Sequence, residues 1–140
     1  MQAENALEFE DLRALLGRYV RTPMGQAELS ELAPLTDRNA IEDALADAAE
    51  AIEYLRAASN PQPAGRGAAI RPRFDPGADP APLVARLRIQ GATLESMEIF
   101  EIARLLDLAS EVRSVVLLAR ERYPRLAVHA AAIADLHELA

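Results

Sequence analysis

Apolar residues recur along this chain at steps of three and four, the spacing of helices that each bury one face. From Leu7 onward, Phe9, Leu12, Leu16 and Tyr19 form one stripe, opposite Glu8, Glu10, Asp11 and Arg18, and predict a first helix ending near Val20. Between Val20 and Asp37 two prolines and a glycine interrupt the pattern. Thr22 followed by Pro23 reads as a helix restart: a threonine oxygen caps free amides, and proline at the first helical position gives up a donor that had no partner. Ala27, Leu29 and Leu32 fit a short second helix, which Pro34 ends by disfavouring helical geometry at Ala33. Thr36 or Asp37 then caps a third helix, with Glu42 and Asp43 near the positive end of its dipole. The breakers therefore predict a corner of helix, short helix and helix.

The third helix, residues 38 to 58, carries Ile41, Leu45, Ala48, Ile52 and Leu55 at steps of four, three, four and three, a two-heptad seam against a neighbouring helix. That neighbour is either another helix of the same chain, forming its core, or a second chain in a coiled coil. Asn60 to Pro82 is rich in proline and glycine, and predicts a flexible, irregular connection. Leu83 to Ile89 fits a short helix entered at Asp79-Pro80, and its V-A-R-L-R-I run also permits a strand. Thr93 caps the longest predicted helix, residues 94 to 122, about 42 Å at 1.5 Å per residue. Its apolar positions include Met97, Ile102, Leu105, Leu106, Ala109, Val112, Val115 and Val116, and its polar strip is narrow, so helices are expected to cover most of its circumference. Pro124 opens a last helix whose alanines permit close approach, and no stop signal precedes Ala140. The expected fold is all-α, a bundle of about five to six helices including one long helix and a proline-rich connection. The missing stop signal points to a segment of a longer polypeptide.

Composition agrees with that fold. Hydrophobic residues make up 51% of the 140 and aromatics only 4%, with no tryptophan, which suits helices packed through small side chains. One domain is the expectation at this length. The chain has no cysteine, so disulfides and thiolate metal sites are excluded and a reducing cytoplasm is expected. No apolar run approaches the ~20 residues of a membrane span, and the N-terminus lacks the charged and apolar regions of a signal peptide. The net charge of -7 arises entirely within residues 1 to 60.

Catalytic chemistry finds little support. No phosphate-binding G-x-x-x-x-G-K-[ST] loop is present, and Gly65-Arg66-Gly67 lacks the lysine. His129 and His137 lie eight residues apart, too far to share a zinc ion as an i, i+4 pair does. The carboxylates fall on predicted solvent faces, and no serine sits in a nucleophile motif. Arg66, Arg71 and Arg73, with Arg86 and Arg88, form the only basic concentration; they are either solvated loop residues or sequence-independent phosphate contacts. No catalytic, cofactor-binding or metal-binding residue is expected in the segment.

Leu7-Glu8-Phe9, Thr22-Pro23-Met24-Gly25, Leu32-Ala33-Pro34-Leu35-Thr36-Asp37, Ile41 and Glu50-Ala51, followed later by Gly91-Ala92-Thr93-Leu94, resemble the N-terminus of the second bacterial branch of the MutS family, often called endonuclease MutS. Between Asn60 and Gln90 the likeness nearly disappears. The resemblance implies the beginning of a non-catalytic helical core and lever region, which joins a coiled-coil nucleic-acid clamp to a dimeric ATPase. It implies a parent protein of DNA repair or recombination that uses ATP and magnesium, forms a homodimer, binds branched DNA or ribosomes, and often ends in a nuclease domain. The partners expected for this segment are the remainder of that parent and a second copy. A stand-alone helical adaptor or dimerisation module, working through the Ile41 to Leu55 seam, is the alternative.

Overall fold

The computed structural model describes residues 8–60, 67–74 and 77–135. Among them there is no strand, and six helices follow one another: α1 (Phe9–Gly17), α2 (Pro23–Glu31), α3 (Arg38–Ser59), α4 (Pro80–Leu87), α5 (Ser96–Leu118) and α6 (Pro124–Ala132). The all-α expectation holds, and the helical reading of the segment after Asp79 replaces the strand alternative. The chain divides into two compact units, one of Met1–Pro34 with Phe74–Ile102, the other of Leu35–Arg73 with Ala103–Ala140.

In the first unit, α1 and α2 are joined by the breakers of the sequence. Thr22 is extended at φ -96°, ψ 145°, and its Oγ1 accepts a hydrogen bond from the Gly25 amide at 3.1 Å, while Pro23 occupies the first turn. Gly25 is needed there, because a Cβ at that position would lie 2.7 Å from Val20 Cγ1 and 2.9 Å from Thr22 Oγ1. Gln26 Nε2 donates back to the carbonyls of Gly17 and Val20 at 2.9 and 2.7 Å, satisfying acceptors that the end of α1 leaves open. At the other end Arg13 donates to the Ser30 carbonyl at 3.0 Å. The face of α1 turned inward is thus Phe9, Arg13 and Gly17, whereas Leu12, Leu15, Leu16 and Tyr19 of the predicted region are exposed.

Asp79 caps α4 by accepting from the Ala81 amide at 2.9 Å, with Pro80 at its first position, so the irregular connection ends at Asp79 rather than at Pro82. Arg86 of α4 pairs with Glu98 of α5. Glu98 also reaches back to the Glu95 amide at 2.8 Å, half of a capping box, and α5 accordingly starts at Ser96 rather than next to Thr93. Met97, Ile99 and Phe100 remain exposed in its first turns, so the expected covering of this helix on most sides is not realised there.

In the second unit, Asp37 rather than Thr36 caps α3, accepting from the Ala40 amide at 2.8 Å. The core is small: Tyr54, Val116, Ala119, Tyr123 and Ala130 are buried, with Ala57, Ala58, Ala69, Val115, Leu117 and Leu126 packed against them. The helix α5 stops at Leu118, short of the predicted Arg122. There Ala119 and Arg120 donate to the carbonyls of Val116 and Leu117 at 3.1 and 3.2 Å, the i to i−3 pattern that tightens a last turn. Pro124 holds Tyr123 out of helical geometry and restarts the chain as α6. Part of the predicted loop is tied to this core: Tyr54 Oη donates to the Ile70 carbonyl at 2.6 Å. Arg66, the rest of 61–66, and residues 75–76 lie outside the described residues.

Candidate interaction surface on α3

Two faces of α3 carry opposite chemistry. Asp43, Asp47, Glu50 and Tyr54 recur at steps of four, three and four and face α6. Arg125 Nε donates to Asp47 Oδ1 at 2.5 Å, and its terminal nitrogen donates to the Asp43 carboxylate and carbonyl, each at 3.1 Å. His129 Nε2 lies 2.9 Å from Asp47 Oδ2. Glu50 accepts from the Leu126 backbone amide at 2.8 Å, within the first turn of α6, where an open N–H and the positive end of the dipole favour a carboxylate. Arg122 and Glu53 extend the ladder at 3.4 Å. The donors from His129 first, and then from Arg125, hold the Asp47 carboxyl below its ordinary value of 3.8, and Asp47 and Asp43 push the Arg125 guanidinium up.

The predicted seam lies on the other side, roughly 140° around the helix at 3.6 residues per turn. Ile41 is half-buried and Ala48 exposed; Leu45 keeps 63%, Ile52 50% and Leu55 45% of their surface. Of the two neighbours the sequence allows for Ile41, Leu45, Ala48, Ile52 and Leu55, no helix of the second unit among the described residues covers this face. The charged face turns inward because α6 offers it the Arg125 guanidinium, the His129 imidazole and the open Leu126 amide in matching register, with Arg122 added from the turn before it. Tyr54, which the heptad pattern passes over, supplies the apolar anchor.

The sequence alone does not single out Tyr54, Asp47, Glu50, Arg125 and Tyr123 as structural residues. A signal was present in Asp43, Asp47, Glu50 and Tyr54 at helical spacing, but carboxylates at that spacing read equally well as a solvated face. Of the arginines, Arg71 and Arg73 are exposed in the extended segment of the second unit. Arg86 and Arg88 belong to the first unit, where Arg86 is engaged by Glu98. The first unit also has an open groove of about 520 Å³ between α2 and α4, lined by Met24, Ala27, Val84 and Arg88 among others. His129 is placed against Asp47, while His137 lies outside the described residues. Among the described residues no group of three or more His, Cys, Asp or Glu is arranged to hold a metal ion, and no helix is long and apolar enough to cross a membrane.

Comparison with protein-family models, with curated proteins and with solved structures finds no match to this chain.

Proposed function

We propose that the chain is a non-catalytic helical segment that works mechanically, by packing against further protein, as the N-terminal core and lever region of a MutS-family ATPase of the second bacterial branch. The observation that carries this reading is apolar surface at helical spacing left uncovered: Leu12, Leu15 and Leu16 on α1, Leu45, Ile52 and Leu55 on α3, and Met97, Ile99 and Phe100 on α5. Exposed apolar patches of this kind mark surfaces that another protein covers. The likeness of the Thr22 to Asp37 region supplies the identity of that protein. In this role the segment links the ATPase to a nucleic-acid clamp, and α5, about 34 Å long at 1.5 Å per residue, acts as a strut. ATP, magnesium and any nuclease chemistry belong to the parent, whose target is branched DNA or the ribosome and whose compartment is the cytoplasm.

The test is Leu105→Pro in the full-length protein, a break in the middle of α5. Loss of ATP-dependent coupling to nucleic acid, with ATP hydrolysis retained, is expected; coupling that survives intact overturns the lever. The exposed α3 seam favours a second reading, a helical adaptor or dimerisation module. The downstream reading frame separates the two, because a phosphate-binding loop supports the lever and a stop codon directly after Ala140 supports the adaptor.

A further inference from the structure

The outer face of α3 has more structure than an apolar patch. With Leu45 and Ile52 at one core position of the heptad and Ile41, Ala48 and Leu55 at the other, the residues flanking the seam fall into two rows. One row is Ala44, Ala51 and Ala58, which borders the core of the second unit; Ala51 and Ala58 are half-buried there. The other row is Glu42, Ala49 and Arg56, all exposed. This row has an acid near the helix N-terminus, a base near the C-terminus and a small residue midway between them.

We propose that α3 pairs antiparallel with α3 of a second copy of this chain, with Ala49 on the two-fold axis. In that register Leu45 stacks on Leu55 of the second copy and Ala48 on Ile52 of the second copy. On the exposed flank Glu42 meets Arg56 of the second copy, and the symmetry repeats the pair, so two ion pairs close one interface. A parallel pairing would set Glu42 beside Glu42 and Arg56 beside Arg56 and lose the complementarity. Ala48 and Ala49 keep the middle of the seam narrow, so the two helices approach closely. Two heptads are short for a free coiled coil, whose helices must be nucleated as they pair. Here α3 is already held in shape by Tyr54 and by the ladder to α6, so pairing carries no such cost. Self-complementary patches of this kind generate closed two-fold dimers rather than open chains.

This inference deepens the reading of α3 as a contact surface and depends on it, but its test is independent of ATP coupling. Sedimentation of the intact chain over a concentration series is expected to show a monomer–dimer equilibrium. Leu45→Glu should weaken it at least tenfold while leaving the helical circular dichroism unchanged; Glu42→Arg, which also releases Arg38 from its 2.8 Å ion pair with Glu42 one turn earlier in α3, should weaken it at least tenfold with only a small loss of helical signal. Arg56→Glu should weaken it likewise. Mixing the Glu42→Arg and Arg56→Glu chains should restore the dimer, because each repulsive pair becomes attractive in the mixed species. The chain lacks cysteine, so single introduced thiols report the register: Ala49→Cys should cross-link with a short bis-maleimide. Arg38→Cys should not, being about 33 Å from its own counterpart at 1.5 Å per residue. A monomer at all concentrations, a dimer indifferent to Leu45→Glu, no rescue on mixing, or cross-linking at Arg38→Cys instead of Ala49→Cys each overturns the proposal.

Discussion

The rings of Tyr54 and Tyr123 meet edge to face, 5.0 Å between centroids and 77° between planes, and among the described residues only the Tyr54 hydroxyl of the two is bonded. Both rings are almost fully buried, so the pair is the centre of the second unit, and the Arg122 guanidinium closes it 5.3 Å from the Tyr123 ring. Tyr54 donates to the Ile70 carbonyl, and burial pushes its phenol up, keeping the donor protonated. The Tyr123 hydroxyl has no partner among the described residues.

The two tyrosines should therefore respond oppositely to loss of the hydroxyl. Tyr54→Phe strands the Ile70 carbonyl and is expected to cost about 1 kcal/mol. Tyr123→Phe removes an unsatisfied buried group and should be neutral or stabilising. Urea unfolding followed by circular dichroism reads both, and equal losses would contradict the assignment.

At the α1–α2 corner, Thr22→Ala removes the bond to the Gly25 amide and should lower stability by about 1 kcal/mol. Gly25→Ala should cost more, about 1–3 kcal/mol, because its Cβ drives into Val20 and the capping oxygen together. Combining the two should be less than additive, since the Thr22→Ala chain no longer presents that oxygen. Thermal unfolding of the single and double variants measures it.

For the entry to α3, Asp37→Ala is expected to cost about 1 kcal/mol and Thr36→Ala close to nothing, as only Asp37 accepts from the Ala40 amide. The reverse order in a denaturant titration would move the cap to Thr36.

The ladder between α3 and α6 should show in acid. Asp47 is held below 3.8 in the folded chain, so its contribution is fully present above that value and is lost as pH falls through the lower, folded value. Asp47→Asn should be less stable than the parent at pH 7 and converge with it in strong acid, and added salt should narrow the gap at pH 7. Parallel stability curves for the two across this range would show that Asp47 is not coupled to His129 and Arg125.

Much of the fold is legible in the sequence alone. The cap at Thr22, the restarts at Pro23, Pro80 and Pro124, and the span of α3 rest on local chemistry, in which a side-chain oxygen or a fixed ring acts on its own backbone within one turn. The start of α5 is local too, since Glu98 reaches back one turn to the Glu95 amide, a signal that the reading of Thr93 as the cap passes over; its other end is tertiary, because Ala119, fully buried, lies where the chain bends around Tyr123.

The sequence by itself determined the all-helical class, the proline-marked breaks at Pro23, Pro80 and Pro124 and the heptad spacing of Ile41 to Leu55, since periodicity and capping are properties of a single segment. Which face of α3 turns inward was decided only by tertiary structure. That choice depends on what another segment, more than sixty residues away, presents to it: Arg125, His129 and the Leu126 amide match Asp43, Asp47 and Glu50, and Tyr123 receives Tyr54. An apolar stripe alone cannot specify its own partner, because the hydrophobic effect is non-directional, whereas hydrogen bonds and ion pairs demand a register that one segment cannot supply.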